Sequence, residues 1–335
     1  MTSPPGSYGV RSVALRAATP DLQLVRNRWD RHLGDRVFQL GVTVAGLSVL
    51  LLLLTIGFFL AKSAWPAFEA FGFSFLTSTD WDPVNESFGA LPVIFGTVVS
   101  SLLAMLIATP LSVGIALFLN ELAPRRIARL VGFLVEMLAA IPSVVYGLWG
   151  IFVLAPWLRS TVEPALGRTL GFLPFFQGPA YGVGMLAAGL ILAIMVTPTV
   201  SSICREVFRA IPVTQREAAL ALGATRWEAM RIAVLASAKS GIVGAVILGL
   251  GRAVGETMAV TMVIGNRPAI SASLFAPAQT MASVLANEYA EASSDLHLAA
   301  LIEVGFILFL VTFFMNGIAR LLVRRMAATA KGGAR

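Results

Sequence analysis

The stretch LSVLLLLLTIGFFL, Leu47–Leu60, contains no charged residue. It sits inside a longer apolar segment, Val37–Ala61. That exceeds the roughly 20 residues a helix needs to cross a bilayer. A helix is also the open-chain structure that satisfies every backbone hydrogen bond in lipid. The segment is too long for the apolar core of a secretory leader, and no small-residue cleavage site follows at AKSAWPAF, so it reads as a retained span.

Five further segments have the same character: Leu91–Leu119, Ile127–Trp157 with Pro142 inside it, Tyr181–Cys204, Gly241–Ile264 and Leu298–Val323. The whole chain agrees with them. Of 335 residues, 57% are apolar and only 13% charged, and the mean hydropathy is +0.82. Ordinary soluble domains carry about 25% charge. A soluble fold would expose large apolar patches with this composition. The expected class is therefore an all-α polytopic membrane protein of six helices, with a transmembrane domain over 34–325. Residues 1–33 read as a flexible cytoplasmic arm, and 326–335 as a cytoplasmic tail.

Charge orients the bundle. Twenty of the 25 Lys and Arg fall on the side of the N-terminus, in the arm, around Arg125–Arg129, between Arg205 and Lys239, and after Arg320. Lys62, Arg159, Arg168 and Arg267 fall on the other side, and Arg252 lies within a span. The positive-inside rule then puts both termini in the cytoplasm. The basic excess is topological and implies no nucleic acid partner. The single Cys204 excludes an internal disulfide framework, and His32 and His297 lie far apart, so no metal site is expected.

The spans carry Pro and small residues, in ATPLSVGIA (Ala108–Ala116), AAIPSVVYG (Ala139–Gly147) and MVTPTVSS (Met195–Ser202). Such helices pack closely, and broken ones often line a transport path. Four charges are read as lying inside spans: Glu136, Arg252, Glu256 and Glu303. A charge at mid-bilayer costs several kcal/mol unless it is paired or wet. On a continuous helix Glu256 follows Arg252 by one turn on the same face. Two roles stay open for this pair: a structural ion pair, or a guanidinium fork offered to an oxyanion in a gated path. Thr257 and Thr261 are candidate further donors, with Ser143, Ser100 and Thr197 as weaker ones.

The long loop from Cys204 to Gly241 reads as two short helices on the cytoplasmic face. The first is Val213–Leu222, with Thr214 and Glu217 in a capping-box pattern. Gly223 ends it, and the second begins at TRWEAMRIAVL. Such a knob suits the grip of a cytoplasmic partner.

Within it EAALALGATRWEAMRIAVL, Glu217–Leu235, resembles the EAA motif of ABC importer permeases, with Ala236 where that pattern has Pro. GLGRAVGETMAVTMVIGN (Gly249–Asn266), FLTSTDWDPVNESFGALPVIFGT (Phe75–Thr97) and AAIPSVVYGLWGIFVLAP (Ala139–Pro156) resemble the C-type permease family of phosphate-specific ABC importers. The looser stretch Tyr181–Pro212 is similar too. The resemblance spans Gly34 to Arg325.

It implies the type I importer permease fold and a multi-pass component of the bacterial cytoplasmic membrane. It implies phosphate as cargo and a path through Arg252 and Glu256. It implies Glu217, Ala218, Ala219, Leu222, Gly223 and Arg226 as the ATPase-coupling surface. The implied partners are a second permease of the A-type, forming a heterodimer with this chain, two ATPase subunits and a periplasmic or lipid-anchored phosphate-binding protein. ATP and Mg belong to the ATPase. This chain is expected to be no enzyme and to bind no cofactor, since GLGRAVGET lacks the Lys and the spacing of a nucleotide-binding loop. Three alternatives remain: another oxyanion importer, for phosphonate or molybdate, the paired A-type phosphate permease, and a non-transporting sensor or scaffold.

Overall fold

The computed structural model describes residues 29–332. The arm expected over 1–33 lies outside the described residues as far as residue 28, and the backbone is helical from Trp29. Helix continues through Gly332, into the expected tail. Residues 29–56 belong to one compact unit, and the chain from Gly57 forms the other.

Among the described residues six helices are long and apolar enough to cross a membrane. The first, α1 (Trp29–Phe71), contains LSVLLLLLTIGFFL. In the first unit its side chains from Gly34 to Leu54 are exposed, and most are apolar, as suits a lipid-facing surface.

The second unit holds the other five. They are α2 (Leu91–Leu122), α4 (Ser143–Leu170), α5 (Met185–Arg209), α7 (Arg226–Gly255) and α10 (Asp295–Gly332). Shorter helices connect them: α3 (Arg125–Ala140), α6 (Val213–Ala221), α8 (Met258–Val263) and α9 (Met281–Glu288). A two-strand hairpin, β1 (Trp81–Asp82) with β2 (Ser87–Phe88), lies between α1 and α2 in the chain.

The most extensive packing is between α2 and α5, and α7 packs on both. Small side chains make this possible. Ala104, Ala108, Ala188, Ala193, Ala245 and Ala253 are all buried in one core with Ile191, Val196 and Val200. In a membrane such close approach supplies the dispersion contacts that replace the hydrophobic effect between helices. A smaller core of Phe75, Phe88, Val93, Met281, Val284 and Leu301 seats the hairpin.

The third span differs from its expected bounds. Ile127–Trp157 is two elements, because Ile141 and Pro142 are extended and Pro142 precedes the first turn of α4. Proline disfavours helix in the residue before it. The spanning helix is shifted to Ser143–Leu170, and it absorbs two π-helical turns, Gly150–Leu154 and Leu158–Val162.

The fifth span also differs. It begins at Arg226, within the expected loop, and ends at Gly255. Glu256 is extended and α8 starts only at Met258, so Gly241–Ile264 is a broken helix.

Candidate functional site

The break between α7 and α8 organises the site. Gly255 ends α7 and Glu256 turns out of it. The two residues read as helical neighbours therefore do not share a face. Among the described residues no ion pair within 4.0 Å joins Arg252 to Glu256. Arg252 instead reaches α5, where its Nη1 donates to Thr199 Oγ1 at 3.0 Å. Glu256 Oε1 accepts from the backbone N–H of Ala259 at 3.5 Å, at the first turn of α8.

Close helix approach sets up the Arg252 contact. Gly249 lies one turn before Arg252. A Cβ there would sit 2.5 Å from Val200 Cγ2 and 2.9 Å from Val196 Cγ1. Only Gly lets α7 come this near α5 beside Thr199. Thr199 follows Pro198, which is buried within α5. The guanidinium is otherwise exposed on the surface of the chain. Such a group on a spanning helix requires water, a partner surface or an anion, because lipid would cost several kcal/mol.

The other sequence candidates scatter. Thr257 Oγ1 donates to Gly255 O at 3.3 Å, and Thr261 Oγ1 to Thr257 O at 2.8 Å, so both lie at the break. Ser143 opens α4 at the second break. There Tyr146 Oη donates to Leu138 O at 2.8 Å, bridging α4 to α3. Gly147 faces Ala259 and Met262 of α8, so the two interrupted helices pack on each other. Ser100 and Thr197 are buried, and each donates to a carbonyl of its own helix.

The remaining acids have separate places. Glu136 meets Arg205 at 3.4 Å, tying α3 to α5. Glu303 is buried in α10, and its Oε2 has no hydrogen-bond partner among the described residues.

The knob forms as a helix pair with a different cap. Pro212, not Thr214, precedes α6, so the expected Thr214–Glu217 box is absent. The box forms one helix later. Thr225 N donates to Glu228 Oε2 at 2.8 Å, and Glu228 N to Thr225 Oγ1 at 3.3 Å. Between the helices Gly223 has φ of +87°, a left-handed turn that Gly adopts without strain.

Glu217, Ala218, Leu222, Gly223 and Arg226 are exposed, and Ala219 is half-buried. Leu222 is 90% exposed and Trp227 60%. Behind this apolar surface Arg216 pairs with Glu121 of α2 at 2.8 Å and donates to Phe208 O of α5 at 2.9 Å. The knob is thus fastened to the two helices at the centre of the core.

Sequence reasoning overlooked Thr199, though its place after Pro198 in MVTPTVSS was a signal. It also overlooked the Glu121–Arg216 anchor, which no local spacing announces.

The family described as "Binding-protein-dependent transport system inner membrane component" matches residues 108–328. A phosphate transport system permease protein PstC of Mesorhizobium japonicum is 46% identical, over 94% of this chain and 98% of that one. The chain belongs to this family of binding-protein-dependent inner-membrane transport components. Another relative with the same printed name, from Pasteurella multocida, is also 46% identical, over 91% of this chain and 96% of its own.

A solved structure shares the fold at low identity. A bacterial alginate ABC transporter in complex with an alginate-bound periplasmic protein contains a chain 16% identical to this one. It aligns over 89% of this chain and 98% of that chain with a TM-score of 0.59. Members of the family are membrane components of transport systems, and the six spanning helices described above fit that role.

Proposed function

We propose that this chain is the membrane-spanning permease component of an ATP-driven importer of inorganic phosphate. The observation that carries the reading is the Arg252 guanidinium at the helix break. It is held by a neutral hydroxyl rather than by a carboxylate. Its charge is not cancelled locally, and its remaining N–H groups are available to an oxyanion. The names of the relatives support phosphate over phosphonate or molybdate.

The assembly contains a second permease, the A-type partner, as the other membrane half. Of the two ATPase subunits, one docks on Glu217–Arg226 of this chain, with Leu222 as the apolar anchor. A periplasmic or lipid-anchored phosphate-binding protein delivers cargo at the far end. ATP and Mg act on the ATPase subunits. The asymmetry of Lys and Arg supports cytoplasmic termini and insertion in the bacterial cytoplasmic membrane.

The mechanism follows from the mechanical links. ATP binding closes the ATPase dimer and moves the knob. Arg216 carries that motion to α2 and α5, and the continuous helix α7 carries it to Arg252. Phosphate meets Arg252, with Thr257 and Thr261 nearby, in one of two global states. The ATPase and cargo sites are then thermodynamically coupled, each biasing the other through the difference between those states. Glu256, not paired with Arg252, leaves the guanidinium open to an anion.

The test is ATP-driven uptake of radiolabelled phosphate in proteoliposomes holding the full complex. Wild type should accumulate phosphate, and an assembled Arg252→Ala complex should lose most of that uptake. Absence of phosphate uptake by an assembled wild type that hydrolyses ATP would overturn the substrate. Full uptake by the variant would make Arg252 structural.

A further inference from the structure

At the end of α5 away from the knob, two loops meet. Residues 171–184 precede α5, and residues 264–280 join α8 to α9. Backbone bonds knit them. Gly184 N donates to Val263 O at 2.9 Å, Met185 N to Ala276 O at 3.1 Å, and Leu186 N to Leu274 O at 2.8 Å. Leu274 N donates to Phe175 O at 2.9 Å, and Ser273 Oγ to Gln177 O at 2.5 Å.

Two cavities open on this surface. One, about 660 Å³, is lined by Arg267, Tyr181, Gln177, Ser271 and Ser273. The other, about 450 Å³, is lined by Arg159, Ser160 and again Tyr181. Both fall in the range of small-ligand sites.

Three features give this surface one chemical preference. Arg159 and Arg267 are the charged residues of the two cavities, and no carboxylate lines either. Among the described residues neither guanidinium lies within 4.0 Å of an acid. The wall between them is fixed: Glu163, 2% exposed, accepts from Gly182 N at 3.0 Å through Oε2 and holds the turn that carries Tyr181. Its carboxylate is thereby spent on backbone instead of on Arg159, one turn away on α4. Thr199 lies fourteen residues along α5 from Met185, about 21 Å deeper at 1.5 Å per residue.

We infer that Arg159 and Arg267, on either side of Tyr181, form a vestibule that binds a small tetrahedral oxyanion before it reaches Arg252. The inference rests on the importer reading for its direction of travel. Unpaired cations in a concave surface raise the local anion concentration, and planar guanidinium groups match oxyanion geometry.

The experiment uses the assembled transporter without its binding protein. Modification of Arg159 and Arg267 by phenylglyoxal is followed by peptide mass spectrometry in chloride, inorganic phosphate or sulfate. In parallel, phosphate uptake by the complete system is measured for wild type, Arg159→Ala/Arg267→Ala and Arg159→Lys/Arg267→Lys. The expected result is protection of both residues by phosphate above that by chloride. The half-saturating concentration of loaded binding protein should rise about tenfold in the alanine variant and be largely rescued by lysine.

Protection by sulfate but not by phosphate would support an oxyanion vestibule, whereas no phosphate uptake by the complete wild-type system would overturn phosphate as cargo. Equal modification in all three salts would overturn the vestibule, even where wild type transports phosphate. So would protection seen only when the binding protein is added, because the surface would then be a protein-docking face. An alanine variant with unchanged half-saturation would also overturn it.

Discussion

Arg252 and Thr199 join α7 to α5 through a hydrogen bond of 3.0 Å, while Glu256, one helical turn further along the sequence, takes no part. This neutral partner positions the guanidinium without neutralising it. Thr199→Val should therefore reproduce part of the Arg252→Ala defect. A hydrogen bond to a charged group is worth about 1.5–3 kcal/mol, so maximal phosphate uptake should fall by about tenfold or more. Thr199→Ser should retain most of it. Uptake in assembled complexes checks this, and a fully active valine variant would remove Thr199 from the path.

Gly249 should tolerate no larger residue. Gly249→Val drives its side chain into Val200 and Val196, and overpacking of this kind costs about 1–3 kcal/mol. Gly251→Ala is the matched control, since nothing lies within 4 Å of a Cβ there. Thermal unfolding of the detergent-solubilised complex should show the first variant melting earlier and the second unchanged.

Leu222 is exposed in the isolated chain, so Leu222→Ala should leave the fold of the permease intact. Burying a leucine at an interface contributes roughly 1.5–3 kcal/mol, hence ATPase subunits should bind about tenfold more weakly or worse. Co-purification with the ATPase under increasing dilution reads this directly. Undiminished capture would place the docking surface elsewhere on the knob.

Asp82 gives the hairpin a pH limit. The side-chain amide of Asn85 and then the backbone N–H groups of Asn85 and Val84 hold its carboxyl below the ordinary aspartate range. A lowered folded value means the contribution is complete above the ordinary value near 4 and is lost as pH falls through the folded one. The turn should thus stay ordered at all pH values above about 4 and loosen only below. Hydrogen exchange of the Val84 and Asn85 amides measures it. Loosening between pH 5 and 7 would contradict the assignment.

What could be read from the residues was what depends on composition. Leu47–Leu60 announces a span by its lack of charge, and EAALALG announces two helices around a glycine turn. Proline was harder. Pro142 breaks its segment, whereas Pro110 and Pro198 sit inside continuous helices, because neighbouring helices decide whether a lost hydrogen bond is tolerable. The Arg252–Glu256 spacing assumed a helix that Glu256 leaves. Thr199, fifty-three residues from Arg252, was brought there by tertiary packing alone. Thr214 caps no helix because Pro212 already holds the position before α6, and the box forms instead at Thr225 before α7.

One uninterrupted rod runs from the knob to the helix break. From Arg226 to Arg252 it measures about 39 Å at 1.5 Å per residue. Its only softened stretch is the π-helical turn Met230–Leu235, next to the knob rather than beside the guanidinium. Pivoted at the knob, a swing of about 5° displaces the far tip by about 3.4 Å over that length. That exceeds the whole span of the Arg252–Thr199 contact. Under the proposed function, the permease needs no refolding of its interior to change the grip on its cargo, only a small rotation of a long lever.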